Sequence, residues 1–221
     1  MKKEIVKTTD GSYTLYVPEL DETYHSTNGA LQESLHVFID AGLKYSSLKK
    51  VSVLEVGFGT GLNALTTFNE AEKQGISIEF TSLEPYPLIW EEVVKLNYLA
   101  LKGYEKHSIP FKEMHSCDWG RFEEISSNYS LRKMNLKLQE LTFENTFDLI
   151  YFDAFAPQIQ PELWTEEIFS LMYKALKNKG VLVTYCAKGT VKRALKAIGF
   201  ELQSIPGPPG KREMSRGVKN N

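Results

Sequence analysis

The sequence predicts a doubly wound α/β fold, a mostly parallel twisted sheet with helices on both faces, preceded by an N-terminal β-hairpin and helix. Three observations predict it. From residue 51 onward, short apolar runs alternate with stretches of helical periodicity. The inner runs, Val51–Val56 and Phe147–Phe152 among them, are almost wholly apolar, as strands covered on both faces must be. The first run ends in Gly57-Phe58-Gly59-Thr60-Gly61, a glycine-rich turn from strand to helix.

The elements follow in order. Residues 11–17 alternate as a strand, and Thr23–His25 reads as its short hairpin partner after Pro18 and Asp21-Glu22. Leu31, Leu35, Phe38 and Ile39 recur at helical spacing, which predicts an amphipathic helix over Ala30–Gly42. After the glycine turn, Leu62, Leu65 and Phe68 mark a helix to about Lys73, Ile76–Leu83 a strand and Pro87–Leu101 a helix. Residues 103–128 carry little pattern beyond a short helix near Arg121–Ser126, and Tyr129–Met134 is the third strand of the α/β unit. Phe147–Phe152 is a buried strand stopped by Asp153, and Glu162–Asn178 a helix closed by Lys179-Gly180. Val181–Cys186, Thr190–Ile198 and Phe200–Ile205 give strand, helix and strand, with a Pro/Gly loop at 206–210 before a basic tail. Residues 1–45 thus form a hairpin-and-helix segment and 46–221 the α/β domain, in one compact unit.

Composition narrows the function classes. An apolar fraction of 42% rules out disorder of the whole chain, and there is no run of eighteen apolar residues to span a membrane. MKKEIVKTTDG lacks the apolar run of a signal peptide. Cys117 and Cys186 are too few and too distant for a disulfide framework or zinc site, which predicts a reduced, cytoplasmic protein. His25, His36, His107 and His115 are dispersed, without metal-ligand spacing, so surface or capping roles and no metal are expected. The net charge of −2 is uneven: residues 188–221 carry eight Lys/Arg against two acids. Such an end suits a polyanion such as RNA, although solvated lysines on a helix give the same pattern.

In doubly wound sheets ligands bind beyond the carboxyl ends of strands, where strand order reverses. Gly57, Gly59 and Gly61 allow a tight turn and close approach of a ligand to the peptide planes, and Leu62 and Asn63 open the helix behind them. Glu84, at the end of the next strand, can accept both ribose hydroxyls of an adenosine group. Gly-x-Gly-x-Gly with Glu55 before it is closer to the S-adenosylmethionine loop of Rossmann-like class I methyltransferases than to the dinucleotide fingerprint. Glu55 would suit the cofactor's positive sulfonium and ammonium groups. The adenine-side contact is best aligned with Asn135, with Gln139 and Glu140 nearby and Asp118 as the alternative. Asp153 stands after the fourth strand, beside the expected cofactor position, where an Asp is either structural or catalytic.

One family shares these segments. Gly57-Phe58-Gly59-Thr60-Gly61-Leu62-Asn63, Glu84-Pro85 with Pro87-Leu88, Asp153-Ala154-Phe155-Ala156-Pro157, Pro161-Glu162-Leu163-Trp164 and Gly210-Lys211-Arg212-Glu213-Met214 resemble the methyltransferase domain of the tRNA 5-methylaminomethyl-2-thiouridine biosynthesis proteins, MnmC and its stand-alone form MnmD. Thr23-Tyr24-His25-Ser26 with Gly29 and Glu33 is similar to the family's opening segment, so the resemblance runs from about residue 21 to 217. Ala154 stands where the bifunctional members usually have Gly, and Gln158-Ile159-Gln160-Pro161 where they have a Lys-Asn-Pro stretch.

The resemblance implies methyl transfer from S-adenosylmethionine to the exocyclic amine of 5-aminomethyl-(2-thio)uridine at the tRNA wobble position, without metal. It assigns Glu55, Gly57, Phe58, Gly59, Gly61, Leu62, Asn63, Glu84, Pro85, Asn135 and Asp153 to the cofactor side. Asp153 would also orient the amine and accept its proton. Tyr24 and Phe155 would stack on uracil or adenine, and Lys188, Lys211 and Arg212 would meet phosphates of the anticodon stem-loop. The FAD-dependent oxidase domain of the bifunctional proteins has no room in 221 residues, so no FAD is expected. The rival expectations are a spermidine synthase-like aminopropyltransferase, a methyltransferase on another amine, an NAD-dependent dehydrogenase and a non-catalytic RNA-binding module. The first is disfavoured by the lack of paired acids for a diamine, the dehydrogenase by the glycine spacing.

Overall fold

A computed structural model describes residues 1–220; Asn221, the end of the predicted α/β segment, lies outside the described residues. At the N-terminus β1 (Glu4–Lys7), β2 (Tyr13–Val17) and β3 (Glu22–Thr23) form a small antiparallel sheet, so the expected hairpin has an additional outer strand. The next helix, α1 (Ala30–Ser34), widens into π-helical turns over Leu35–Asp40. Three consecutive residues there, Val37, Phe38 and Ile39, are buried, and the wider turn turns all three toward the core.

The α/β unit then runs β4 (Lys50–Val56), α2 (Leu62–Gln74), β5 (Ser77–Leu83), α3 (Trp90–Val93), α4 (Ser108–Ser116), β6 (Glu123–Ser126), β7 (Tyr129–Met134) and β8 (Phe147–Phe152). It closes with α5 (Glu166–Ala175), β9 (Leu176–Thr184), α6 (Gly189–Ile198), β10 (Glu201–Pro206) and β11 (Glu213–Val218). The strands form one eight-stranded sheet of order β10-β11-β9-β8-β4-β5-β7-β6. The central pairings β9-β8-β4-β5-β7 are parallel, and both ends of the sheet are antiparallel.

Alternation along the strands supplies two separate cores, one on each face. Val51 and Val53 of β4, Tyr151 of β8 and Val183 of β9 pack with α2, α4 and the helix after β3. Leu54 and Val56, Ile150 and Phe152, and Leu182 pack with α5 and α6. Consecutive residues thus serve opposite layers, which is why these runs are mostly apolar.

Four expectations are corrected. The helix over Pro87–Leu101 is reduced to the single turn of α3 and a 3-10 turn at Tyr98–Ala100. Val93, Leu96 and Tyr98 are all buried, at spacings of three and two that one α-helix face cannot hold. The segment near Arg121–Ser126 is the strand β6, hairpinned onto β7, and the unassigned stretch before it holds α4. Pro110 is tolerated there because a first-turn N–H has no helical partner to lose.

The third correction concerns Lys179-Gly180. The chain is already in β9 at Leu176, so α5 ends earlier than expected, and the pair sits in a bulge rather than at a helix cap. The register passes from Phe147 opposite Leu176 to Leu149 opposite Val181, and Lys177 in the bulge pairs with Asp148 at 2.9 Å. Fourth, the basic tail is a strand: β11 inserts antiparallel between β9 and β10. Its Lys219 is buried and donates to the Leu176 carbonyl at 2.7 Å, beneath the Tyr173 ring at 5.0 Å. Replacing this donor, Lys219→Met, leaves that buried carbonyl unpaired and should cost about 1–2 kcal/mol. Urea unfolding checks it, as a lowered midpoint with an unchanged slope.

Candidate active site

Strand order reverses between β4 and β8, so the loops after these two strands diverge from adjacent points. The Asp153 N–H donates to the Val56 carbonyl at 3.2 Å and the Gly57 N–H to the Leu83 carbonyl at 2.9 Å, which brings three strand ends into one plane. Above them opens a cleft of about 1520 Å³. Ordinary small-molecule sites span about 300–1,000 Å³, so it has room for a cofactor and a second molecule.

One wall is the glycine loop. Gly59 has φ +49°, and a Cβ there would lie 3.2 Å from the Tyr24 ring. Gly61 has φ +74°, and a Cβ there would fall 2.6 Å from His115 Nε2. Loop and acid are joined directly: Glu84 accepts the Gly59 N–H at 3.0 Å and the Tyr86 N–H at 2.8 Å. Burial nonetheless raises the Glu84 carboxyl above its ordinary range. Each oxygen keeps a lone pair for a ligand hydroxyl. Bare peptide planes at Gly57 and Gly59, with a fixed acceptor beside them, fit the ribose of an adenosyl group.

Asp153 forms the opposite wall. Its Oδ2 accepts from Asn63 Nδ2 at 2.8 Å, and Asn63 Oδ1 in turn accepts the Ser34 hydroxyl at 2.7 Å. Burial, with Glu33 adding to it, pushes the Asp153 carboxyl up to about 7, against partial opposition from Asn63 and Lys211. A carboxyl so placed exchanges a proton near neutral pH.

The cleft brings together Tyr24, Gly57, Phe58, Gly59, Glu84, Pro85, Asp153, Phe155, Lys188, Lys211 and Arg212. Tyr24 and Phe155 meet edge to face, with ring centroids 5.2 Å apart. Gly61, Leu62 and Asn63 lie behind the wall; Asn63 reaches the site only through Asp153. Glu55 does not face the cleft. Fully buried under β5, it accepts the Ser82 hydroxyl at 2.6 Å, and burial holds its carboxyl well above the ordinary range. Asn135, Glu140 and Asp118 are exposed and absent from the lining, whereas Gln139 and Leu136-Lys137-Leu138 form it after β7.

The basic residues divide. Lys211 turns inward to Glu33, at 2.7 Å, with its ammonium 3.9 Å from the centre of the Tyr185 ring. Lys192 pairs with Glu213 at 2.5 Å, and Arg216 lies over Tyr45. Lys188 is exposed and donates to Gln158, and Arg212 is exposed at the cleft edge.

Residues that the sequence left without a role also join the site. Tyr185 donates to the Ala154 carbonyl at 2.9 Å, and the buried Trp164 donates to the Phe155 carbonyl at 2.8 Å. Both hold the loop after β8. The expectation of surface histidines fails in three cases. His25 lines the cleft and bonds Thr60 at 2.7 Å, His107 is buried against Asn69 at 2.9 Å, and His115 packs behind Gly61. Among the described residues no group of three or more His, Cys, Asp or Glu could hold a metal ion, and no helix is long and apolar enough to cross a membrane.

Sheet order, glycine loop and acids at the strand ends are those of the Rossmann-like methyltransferase fold. A family model described as S-adenosyl-L-methionine-dependent methyltransferase matches residues 111–220. The chain is also similar to the bifunctional tRNA 5-methylaminomethyl-2-thiouridine biosynthesis proteins MnmC. That of Actinobacillus pleuropneumoniae is 30% identical over 91% of this chain and 33% of its own length, and that of Cupriavidus metallidurans 30% over 96% and 33%. The chain therefore spans about a third of the curated relatives it matches. A crystal structure of MnmC2 from Aquifex aeolicus superposes with a TM-score of 0.79 at 26% identity, covering 100% of this chain and 71% of that one. A spermidine synthase from Thermotoga maritima shares the fold alone, with a TM-score of 0.55 at 18% identity, over 98% of this chain and 68% of that one.

His25 makes the loop sensitive to acid. Burial lowers its imidazole to about 4, so it is neutral in the folded chain and must be forced to accept a proton there. A depressed folded value means that its contribution is complete above the unfolded value of about 6.5 and is lost as pH falls through 4. Thermal melts from pH 7 to 4 should show a steeper fall in Tm for the wild type than for His25→Gln, which keeps a partner for Thr60 without the titration.

Proposed function

We propose that this chain methylates the exocyclic amine of 5-aminomethyl-(2-thio)uridine at the wobble position of tRNA, with S-adenosyl-L-methionine as the methyl donor. The observation that carries this reading is Asp153, a carboxyl raised to about 7 on the wall opposite the glycine loop of a cleft large enough for two ligands. The names of the similar MnmC proteins support the substrate. Such a substrate would place the enzyme in the cytoplasm. Residues 1–45 are read as one catalytic unit with 46–221, because Tyr24, His25 and Glu33 line the same cleft as Gly59 and Asp153.

Gly57, Gly59, Glu84 and Pro85 would hold the adenosyl end, with Gln139 in place of Asn135 on the adenine side. Bound S-adenosylmethionine supplies an electrophilic methyl group. What the chain must supply is a neutral amine, since an ammonium has no lone pair to donate. An alkylamine titrates near ~10, so proton transfer to a carboxylate at about 7 is uphill by about 3 units, or about 4 kcal/mol. To a carboxylate at its ordinary 3.8 the same transfer would cost about 8 kcal/mol. The burial of Asp153 therefore removes about half the cost of deprotonation. Asn63 holds the carboxylate in place, and Tyr24 with Phe155 forms an aromatic wall on which a base can stack. Lys188, Arg212 and Lys137 at the cleft edge would take phosphates.

Asp153→Ala should keep S-adenosylmethionine affinity within a few-fold, by calorimetry, and lower methyl transfer by at least about a hundredfold. Undiminished turnover would remove Asp153 from the reaction. In the wild type kcat/KM should climb as pH rises through about 7, because only the carboxylate accepts a proton. Arg212→Glu should raise the KM for tRNA and reduce its salt slope by about one. The substrate itself is tested by nucleoside mass spectrometry of tRNA from a deletion strain, in which 5-aminomethyl-uridine should accumulate; unchanged nucleosides would discard the assignment.

A further inference from the structure

Asp153 is served by two side chains that stand next to each other on α1. Ser34 reaches it through Asn63, as described above. Glu33, only 6% exposed, holds Lys211, a cation that lines the cleft with Asp153 and acts on its carboxyl electrostatically. Glu33 Oε1 pairs with Lys211 Nζ at 2.7 Å, and Oε2 accepts the Ser26 N–H at 2.9 Å. The ammonium so held rests 3.9 Å from the Tyr185 ring centre, on a ring anchored to Ala154. Glu33, Lys211, Tyr185 and Asp153 all border the same cleft.

A lysine beside an unpaired carboxylate in a partly dry cleft closes on it, because a charge-assisted hydrogen bond is the strongest contact either group can make there. Here the lysine has another carboxylate. We propose that Glu33 is a positioning residue that holds the Lys211 ammonium on Tyr185 and off Asp153, leaving the Asp153 carboxylate open to the substrate amine. This rests on the role given to Asp153 above. Without the Glu33 charge, Lys211 would occupy the acceptor oxygen that the amine needs and would keep Asp153 ionised but blocked.

The groups that face Asp153 are Glu33 from α1, Glu55 from β4, Asn63 from α2, Tyr185 after β9 and Lys211 before β11. Burial holds both the Glu55 carboxyl and the Tyr185 hydroxyl well above their ordinary ranges, and the ion pair of Glu33 with Lys211 supplies the two charges varied here. Their signs give opposite displacements. Glu33→Gln removes an anion and frees a cation, so the acid limb of kcat/KM moves to lower pH by about one unit while kcat falls about tenfold. Lys211→Met removes the cation and leaves the anion, so the limb moves to higher pH.

The deciding measurement is single-turnover methyl transfer between pH 5.5 and 9, on tRNA from a strain lacking this chain. It compares wild type, Glu33→Gln, Lys211→Met, the double variant and Asp153→Asn, with Tm and S-adenosylmethionine affinity recorded for each. The expected result is opposite limb shifts in the single variants, and recovery of kcat in the double variant, which has no cation left to capture Asp153. A purely structural ion pair would lower Tm alike in all three Glu33/Lys211 variants, leave the limb unmoved and give no recovery; that pattern overturns the proposal. If Glu33→Gln fails to fold, the Lys211→Met limb decides alone, since a shift downward or none contradicts the proposed balance. An active Asp153→Asn would instead sink the reading beneath it, whereas an inactive Asp153→Asn with unmoved limbs sinks only the role of Glu33.

Discussion

The site depends on one backbone contact, the Asp153 N–H on the Val56 carbonyl at 3.2 Å. It is the last parallel rung between β8 and β4, placed where the two chains part. Beyond it one chain turns into the glycine loop and the other into Asp153-Ala154-Phe155. No side chain fits between them: a Cβ on Gly57 would lie 3.2 Å from the Asp153 carbonyl oxygen. The acid and the peptide planes of the loop therefore face each other at a separation set by strand pairing. Rigid elements hold such constellations better than loops do, and here both halves start from central strands.

Electrostatics then act on that frame. Three of the carboxyls that border the cleft differ through their partners. Glu84 is fixed by two backbone N–H groups and stays an acceptor. Glu33 is neutralised by Lys211. Asp153 has only a neutral amide, so desolvation dominates and its carboxyl rises toward 7. In the proposed reaction these similar side chains would divide into a binding group, a holding group and a proton acceptor. The N-terminal segment contributes to all of this, since Tyr24 covers the loop and Glu33 and Ser34 reach the far wall.

The central sheet was legible in the sequence because β4, β8 and the end of β9 carry apolar residues on both faces, and β4, β5 and β8 are each followed by a polar or glycine residue. Gly57, Glu84 and Asp153 could be placed for the same reason. Local pattern failed where long-range pairing decided the outcome. Lys179-Gly180 has the composition of a helix cap, yet β8 draws the chain into the sheet at Leu176. The lysines of the tail look like a solvated patch, yet β11 takes Lys219 inside and Glu33 takes Lys211. Glu55 stands before the glycine loop as a ligand for positive charge would, but strand alternation turns it into the sheet beneath β5. His25 and Glu33 carried no chemical signal of their own. Their position in an opening segment similar to that of the MnmC proteins was the one sign that could have found them.

The same pair bears on the choice between the methyltransferase and a spermidine synthase-like activity, which share this fold. The sequence shows no paired acids, but the structure brings Glu33 and Asp153 to one cleft, as a diamine site would need. What separates the two is the third charge. A polycation is drawn by uncompensated anions, and Lys211 cancels one of the two before any ligand arrives. It also sits on the Tyr185 face, where a second ammonium would otherwise rest. What remains beside the glycine loop is the Asp153 carboxyl, with an aromatic wall of Tyr24 and Phe155 and the exposed cations Lys188 and Arg212 at the cleft edge. That arrangement supports the proposed substrate, a single amine carried on a stacked base within a polyanion.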